Sequence, residues 1–276
     1  MKYALALITS IFLALSLIAA QPELVESNEI PAIQITPDTT LKVFADQKSH
    51  GVTAPTALTI DEKGRVLITE TWRFGDNLGI DDNRRRRHWL LDDIASQSTD
   101  DRLAMYEKWH HKHPPETYTK IPEKIRMLVD ENGDGVADKH TIFADGFNAP
   151  LDGTAAGIFS YNGNVYVACI PHIWLLKDTN DDGVSDSRKS IQDGFGVRIS
   201  LSGHDLNGFA LGPDGRIYAT IGDRGFNIKT KEGKYYAYPD QGAILRFDPD
   251  GSNMEVFQTG LRNPKEIEFD QFGNPI

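Results

Sequence analysis

Residues 203–225 read GHDLNGFALGPDGRIYATIGDRG and hold the pattern that decides the fold. An apolar run from Asn207 to Leu211 is followed by the turn Pro213-Asp214-Gly215 and by a second apolar run from Ile217 to Ile221. Asp-Gly between two β-rich runs is a strong hairpin signal, because the turn needs residues with positive φ. The stretch therefore predicts an antiparallel hairpin with polar residues at its open end.

The same hairpin recurs at a regular spacing. Apolar runs flank a Gly-bearing turn again in residues 55–69, 157–169 and 266–273, and a more polar hairpin type alternates with them in residues 125–143, 173–191 and 244–257. One hairpin of each type makes a four-stranded unit of roughly 50 residues, which is the size of a propeller blade. The alternative is a β-sandwich, but sandwich strands do not recur at this fixed pitch. The sequence therefore predicts an all-β fold, a β-propeller of four-stranded blades.

Counting these units gives a partial propeller over residues 41–276. It contains three blades, a lone outer strand at Leu41 to Ala45 and a last hairpin that begins at Glu266. This is about half of a six-bladed ring, and closed propellers have at least about four blades. We therefore expect the ring to continue in a longer protein, and we expect this segment by itself to be inactive.

One insertion, residues 72–120, interrupts the blades. Ser98 followed by Asp101 is typical of a helix cap, and Leu103, Met105 and Tyr106 continue an apolar stripe at helical spacing. The insertion is predicted to be mainly helical and to pack over one face of the ring as a lid or docking element.

The N-terminus has the composition of an export signal. Lys2 precedes an apolar run from Ala4 to Ala20 that ends in small residues, which is typical of a secretory signal peptide. The alternative is a membrane anchor, but the run is barely long enough to span a bilayer. We predict a signal peptide over residues 1–20, a flexible leader over residues 21–40, and a periplasmic or secreted protein.

Charge and cysteine content exclude several classes of function. The formal net charge is −11, whereas nucleic-acid binding needs a basic surface, so no nucleic-acid partner is expected. Cys169 is the sole cysteine, which excludes an internal disulfide framework and covalent c-type haem attachment within the chain.

Two outer turns share one acidic formula and are candidate structural calcium sites. Alternating carboxylate and amide oxygens around a Gly suit a hard cation such as Ca²⁺. The alternative is an acidic turn held by Asx hydrogen bonds. The candidate ligands are Asp130, Asn132, Asp134 and Asp138 in the first turn, and Asp178, Asn180, Asp182 and Asp186 in the second.

A third group of polar residues falls on the loops that enter and leave the inner strands. In a propeller these loops converge on the mouth of the central channel, where ligand sites usually lie. His204 is a candidate general base, and a neighbouring carboxylate could orient it. Arg262 brings a guanidinium suited to a carboxylate-bearing cofactor. The alternatives are a loop histidine bonded to backbone, a turn-forming Asp223 and an inter-blade salt bridge from Arg262.

At these residues the chain resembles the soluble quinoprotein glucose dehydrogenase and sorbosone dehydrogenase superfamily. The resemblance rests on residues 203–225, on GAILRFDPDGS at residues 242–252 and on GLRNPKEIEFDQFGNPI at residues 260–276. It implies a catalytic site at His204 and Asp205, with His204 as the base that removes a sugar hydroxyl proton. It also implies that pyrroloquinoline quinone accepts the hydride, with Arg262 and Asn263 as contacts and Asp223 and Arg224 nearby as further cofactor-binding candidates.

The chain also resembles a narrower group, the large secreted "membrane-bound dehydrogenase" proteins of planctomycete-like bacteria. The run WLLDDIASQSTDDRLAMYEKW at residues 89–109 and the two acidic turns carry this resemblance. It implies a c-type cytochrome domain or partner as the electron acceptor. Two positions differ from the glucose enzymes: Gly203 replaces an acidic residue, and Ile228 replaces a Gln that contacts the quinone.

The sequence supports three hypotheses about function. The first is a periplasmic, quinone-dependent dehydrogenase domain that acts on a sugar or related alcohol. The second is a non-catalytic, calcium-stabilised propeller that binds glycans or protein partners. The third is a lactone hydrolase with a metal in its channel, for which Asp205, Asn207 and Asp223 are the inner-loop ligand candidates.

Overall fold

A computed structural model of the 276-residue chain describes residues 25–27, 29–30, 32–73, 86–200 and 203–276. The chain divides into two compact units, residues 1–43 and residues 44–276. In the first unit, β1 (Val25–Glu26) pairs antiparallel with β2 (Gln34–Ile35). The predicted signal peptide, residues 1–20, lies outside the described residues, and the flexible leader stays a prediction. None of the helices described here is both long and apolar enough to cross a bilayer.

The second unit contains the blades. Within the described ranges, twelve strands form three four-stranded antiparallel sheets, each with its strands in chain order except for one inserted hairpin. This arrangement confirms the predicted propeller-type fold. The first sheet is β3 (Pro55–Ile60), β4 (Val66–Glu70), β5 (Glu123–Val129) and β6 (Lys139–Phe147); the second is β7 (Ala155–Tyr161), β8 (Asn164–Cys169), β9 (His172–Lys177) and β10 (Ser187–Asp193); the third is β11 (Leu206–Leu211), β12 (Ile217–Ile221), β15 (Gly242–Phe247) and β16 (Glu255–Leu261).

The hairpin turns form where the sequence places them. In the turn between β7 and β8, Asn162 and Gly163 both have positive φ, 51° and 68°, as a two-residue hairpin turn requires. Gly215, between β11 and β12, has φ of 76°. Each inner hairpin therefore starts and ends at the same edge of its sheet, which brings the residues at its open end together.

The core lies between neighbouring sheets. Along β8, Val165 and Val167 pack toward the first sheet, whereas Tyr166 and Ala168 pack toward the third. Side chains alternate across a strand, so a strand buried on both faces needs a continuous apolar run, and residues 165–170 supply one. The sheets are thus stacked face to face like adjacent blades.

The third sheet carries a hairpin that the repeat pattern did not predict. β13 (Phe226–Lys229) and β14 (Tyr235–Tyr238) pair with each other between β12 and β15. Phe226 and Ile228 are buried in the core between the second and third sheets. Ile228 is therefore a core residue.

Of the two elements predicted at the ends of the propeller, one is absent and one is present. The strand predicted over Leu41 to Ala45 forms no ladder; instead the Phe44 carbonyl accepts a hydrogen bond from the Ala137 amide at 2.9 Å. Phe44 and Ala45 pack on the face of the first sheet that carries Ile68 and Leu128, and they add no strand to it. The last hairpin is present, with a bridge between Phe269 and Pro275.

The insertion is helical where the structure describes it, as predicted. α1 (Gln47–His50) precedes the first sheet, and the insertion holds α2 (Leu90–Ala95), α3 (Thr99–Lys108) and α4 (Glu116–Thr119). Ser98 and Asp101 form a reciprocal capping box at the start of α3. Trp89, Met105, Tyr106 and Tyr118 form a small core that also buries Ile199.

The insertion contacts the loops that enter the second and third sheets. The Asp93 carboxylate accepts a hydrogen bond from the Ile199 amide at 2.7 Å, and Arg102 donates to the Leu151 carbonyl at 2.8 Å. These loops precede β7 and β11. The insertion therefore lies on the face at which the inner strands begin.

Candidate functional site

The three inner strands border one cavity. β3, β7 and β11, together with Glu266 and Glu268, line a space of about 820 Å³. In a propeller the innermost strands surround the central channel, and this shared cavity corresponds to it. The loops that precede these strands lie at one end of the channel.

His204 lies on the loop before β11 and contacts a carboxylate. Its Nδ1 is 2.8 Å from Oδ1 of Asp223, which follows β12. His204 is 6 % exposed and the Asp223 side chain is 24 % exposed, so the pair sits at the boundary between core and solvent. An ionised carboxylate can only accept, so Nδ1 carries a hydrogen, and in a neutral imidazole Nε2 then keeps its lone pair.

The close approach of these two loops depends on Gly222. Its amide donates to the Asp205 carbonyl at 2.9 Å. A Cβ at this position would lie 2.5 Å from the His204 carbonyl oxygen and 2.8 Å from Oδ1 of Asn263. No larger residue fits there without moving the loops apart, so the glycine is what lets Asp223 reach His204.

Arg262 and Arg224 both adjoin Asp223, in different ways. The Asp223 amide donates to the Arg262 carbonyl at 2.7 Å, whereas the Arg262 residue is exposed to solvent. The Arg224 guanidinium lies 3.3 Å from Oδ1 of Asp223. The structure thus brings four of the predicted site residues together at one edge of the third sheet: His204, Asp223, Arg224 and Arg262.

Asp205 and Asn263 occupy buried or half-buried positions beside this pair. Asp205 is fully buried. Its carbonyl accepts from Nδ2 of Asn207 at 2.8 Å, and that same amide nitrogen lies 3.4 Å from Oδ1 of Asn263. The carboxylate that contacts His204 is Asp223, which the sequence assigned to cofactor binding. A catalytic role for Asp205 stays a prediction.

Lys265 belongs to the site, although the sequence analysis did not name it. Its ammonium donates to the Gly203 carbonyl and, at 3.3 Å, to Oδ1 of Asn207. Burial lowers the pKa of Lys265, while the nearby Asp205 and Glu266 carboxylates act in the opposite direction. The only indication in the sequence that Lys265 belongs to the site is its position directly after Arg262-Asn263-Pro264.

A second, smaller cavity opens beside Lys265. Its volume is about 520 Å³, and residues from the starts of all three inner strands contribute to its wall. Burial raises the pKa of Glu266 here, and Glu268 adds to that effect. The wall combines an ammonium, a carboxyl and hydroxyl groups, a set that suits a polar ligand. Its members are Ala54, Pro55, Thr56, Thr71, Thr154, Ala156, Gly203, Asn207, Lys265 and Glu266.

The acidic turn between β5 and β6 is held by its own backbone amides. Asp130 accepts from the Gly133 amide at 2.7 Å and from the Gly135 amide at 2.8 Å. Asn132 Oδ1 accepts from the Asp134 amide at 2.8 Å, and Asp138 accepts from the Glu131 amide at 2.7 Å.

The turn between β9 and β10 repeats these contacts and adds an inter-blade ion pair. Asp178 accepts from the Asp181 and Gly183 amides at 2.6 and 2.9 Å. The Arg65 guanidinium, on the neighbouring sheet, lies 2.8 Å from Oδ1 of Asp181 and 3.7 Å from Oδ2 of Asp178.

In both turns the predicted ligand oxygens accept hydrogen bonds from backbone amides. Over the described ranges, no group of three or more His, Cys, Asp or Glu side chains is arranged to hold a metal ion. These contacts are those of the Asx-bonded turn that the sequence left as the alternative. The calcium site stays a prediction that this geometry does not support.

Comparison with known proteins gives a family. The model for the Domain of unknown function (DUF7133) matches residues 25–276. No curated protein matches the chain.

Several solved structures are similar to this chain at low identity. The PQQ domain of pyranose dehydrogenase from Coprinopsis cinerea is 12% identical, with a TM-score of 0.46 over 82% of this chain and 43% of that one. A protein described as a putative oxidoreductase (glucose dehydrogenase) from Thermus thermophilus is 17% identical, with a TM-score of 0.45 over 82% and 58%. An enzyme of carbohydrate-active family AA12 from Trichoderma reesei is 12% identical, with a TM-score of 0.33 over 84% and 75%. The chain spans about half the length of the first two.

Proposed function

The chain belongs to the family of the Domain of unknown function (DUF7133), and for this member we propose a dehydrogenase function. In this proposal the propeller oxidises a sugar or related alcohol, with pyrroloquinoline quinone as the hydride acceptor. The observation that carries the proposal is the hydrogen bond between His204 and Asp223, beside Gly203, which lines the smaller cavity.

His204 has the contacts that a general base needs. Asp223 accepts from Nδ1, which fixes the ring and leaves Nε2 able to accept a proton from a substrate hydroxyl. The imidazolium formed in this way is stabilised by the Asp223 carboxylate at 2.8 Å. Removal of the hydroxyl proton, together with loss of hydride from the carbon that bears this hydroxyl, converts the alcohol to a carbonyl.

The residues around this pair fit a polycarboxylate cofactor. Arg224, Arg262 and Lys265 bring three cationic groups to loops that meet beside Asp223 and Gly203. Arginine suits carboxylate recognition because its planar guanidinium can donate two parallel hydrogen bonds. Arg262 and Asn263 would hold the quinone. When bound, the quinone supplies a two-electron acceptor for the hydride.

The setting of the reaction is also part of the proposal. An exported, periplasmic or secreted protein would pass the electrons to a c-type cytochrome domain or partner. The N-terminal composition and the resemblance of residues 89–109 support this.

The test uses the complete protein supplied with the quinone, with and without Ca²⁺. Quinone binding is followed by absorbance, and oxidation of a panel of sugars and alcohols is followed with an artificial electron acceptor. We expect His204→Ala to lower kcat by about 10²-fold or more, the usual contribution of a general base. The matched control is His111→Ala, which removes an exposed histidine from the insertion and should leave kcat unchanged.

A different outcome would favour the binding hypothesis. If no quinone binds and glycans or protein partners bind equally well to the wild-type protein and to His204→Ala, the dehydrogenase proposal is wrong.

A further inference from the structure

Lys265 links three parts of the candidate site. Its carbonyl accepts hydrogen bonds from the Gly208 amide at 2.8 Å and from Oγ1 of Thr220 at 3.2 Å. These contacts fix its backbone between β11 and β12. From this fixed point its side chain reaches the loop that carries His204.

The ammonium contacts that loop on both sides of His204. It donates to the carbonyl of Gly203, the residue directly before His204, and to Oδ1 of Asn207 at 3.3 Å. Asn207 is itself anchored, because its Nδ2 donates to the Asp205 carbonyl at 2.8 Å and to the Pro264 carbonyl at 3.2 Å. The Lys265 ammonium thus bonds to both ends of the segment from Gly203 to Asn207.

Gly203 and Lys265 fit together as a pair. Gly203 has φ of 73°, a conformation that favours glycine. A Cβ there would lie 2.7 Å from Nζ of Lys265. The absence of a side chain at 203 therefore provides the space that the ammonium occupies.

The Lys265 residue is exposed to solvent, and its ammonium nevertheless points back at acceptors on the loop that carries His204. Lys265 loses part of its hydration, and burial lowers its pKa. The ammonium contacts two acceptors, and one of them is the carbonyl of the residue directly before His204.

We propose that Lys265 is a positioning residue, whose ammonium holds the loop from Gly203 to Asn207 so that Nδ1 of His204 stays bonded to Asp223. The expected effect of Lys265 on kcat rests on the proposed function, whereas its expected effect on the His204–Asp223 hydrogen bond does not. Without the ammonium, the Gly203 carbonyl loses its side-chain partner and the loop gains freedom. His204 then leaves Asp223 for part of the time.

The direct test measures the His204–Asp223 hydrogen bond in the protein without any cofactor. In protein labelled with ¹⁵N-histidine, the Nδ1–H of His204 should give a low-field proton resonance that His204→Gln abolishes. Lys265→Met, which has a similar length and no charge, should lose this resonance. The control Lys234→Met, at an exposed position in the turn between β13 and β14, should keep it.

Chemical rescue separates the charge from the shape of the side chain. Lys265→Cys can be aminoethylated to restore an ammonium at nearly the original length. The other cysteine of these 276 residues, Cys169, is fully buried, and burial raises its pKa, so it should not react in the folded protein. We expect Lys265→Cys to lack the resonance and the aminoethylated protein to regain it, with both samples showing the same circular dichroism.

The kinetic arm is a split between kcat and KM. If Lys265 acts through His204, Lys265→Met should lower kcat by about 10-fold to 10²-fold with little change in KM, since a small misplacement of a catalytic group has an effect of this size. Aminoethylation of Lys265→Cys should recover most of the loss.

Two results would overturn the proposal. One is a retained His204 resonance in folded Lys265→Met, even if that variant melts at a lower temperature, because Lys265 would then only stabilise the fold. The other is a lost resonance in folded Lys265→Cys that aminoethylation does not restore. If His204→Ala leaves activity unchanged, the dehydrogenase function fails, but the resonance still decides the role of Lys265.

Discussion

At the residue scale, the site depends on which carboxylate reaches His204. Asp205 is next to His204 in the chain, and yet Asp223 makes the 2.8 Å contact. Neighbouring side chains on an extended segment point in opposite directions, so sequence adjacency is a poor guide to contact. Asp205 is instead fully buried.

Asp223→Asn tests this assignment. The asparagine amide can still lie beside Nδ1, but it removes the negative charge that stabilises an imidazolium. We expect kcat to fall by about 10²-fold while KM changes little, because the lost interaction matters most once His204 has taken the proton. Steady-state kinetics of the complete protein measure this, and an unchanged kcat would show that Asp223 does not support the base.

At the scale of single elements, the acidic turns combine local hydrogen bonds with an ion pair between blades. The turn at residues 178–186 meets the β3–β4 hairpin through Arg65, whose Nε also lies 2.6 Å from Oδ2 of Asp61. One guanidinium therefore connects two turns on neighbouring sheets.

The turn at residues 130–138 should make stability depend on pH. The pKa of Asp130 is lowered, chiefly by the hydrogen bond from the Gly135 amide. A carboxyl whose pKa is lower in the folded state stabilises the fold above its unfolded value of about 3.9, and this contribution is lost as the pH falls through the folded value. Between about pH 6 and pH 3, the melting temperature of the wild type should therefore fall further than that of Asp130→Asn.

Equal pH dependence in the two proteins would contradict this account of the turn. The same melting experiment tests calcium. If the amide contacts alone hold these turns, neither Ca²⁺ nor a chelator shifts the wild-type melting temperature. A rise on adding Ca²⁺ that Asp130→Asn abolishes would restore the calcium site.

Arg65→Leu tests the connection between blades. The Arg65 side chain is 17 % exposed and Asp61 is 5 % exposed, so its loss leaves a largely buried carboxylate without its ion pair. We expect the free energy of unfolding to fall by about 1–2 kcal/mol, between the values typical of surface and buried pairs. Lys63→Met, at a position 56 % exposed, should change it by less than about 0.5 kcal/mol. Urea denaturation compares the two, and equal effects would contradict the prediction.

At the scale of the whole molecule, stability comes from apolar surfaces between sheets. β8 contributes to both interfaces, with Val167 and Cys169 on one face and Tyr166 and Ala168 on the other. Five of its six residues are therefore buried by neighbours on both sides. Opening the second sheet requires separating it from the first and the third.

Cys169 reports on that opening. The thiol is fully buried and donates to the Gly153 carbonyl at 3.3 Å, and burial raises its pKa. At about pH 8 we expect a thiol reagent to label native protein no faster than the protein unfolds, since both thiolate formation and access need opening. Labelling should become rapid across the denaturation transition. Stoichiometric labelling of native protein within minutes would show that the interface between the first and second sheets is loose.

The sequence by itself determined the blades. Asn162-Gly163 and Asp214-Gly215 fix hairpin turns, the strand patterns fix which residues pair, and Ser98 with Asp101 fixes the start of a helix. Each of these signals acts over a few residues, so it can be interpreted without knowledge of the rest of the chain.

Only the tertiary structure decided the site. That Asp223 contacts His204, that Lys265 reaches Gly203, and that Arg262 meets Asp223 through its carbonyl all depend on how loops from separate strands approach one another. Such contacts join residues about 20 to 60 positions apart, and no local pattern encodes them. Gly222 and Gly203 allow these loops to approach closely, because a Cβ at either position would collide with a residue of the facing loop. The sequence does not show which loop lies opposite each glycine.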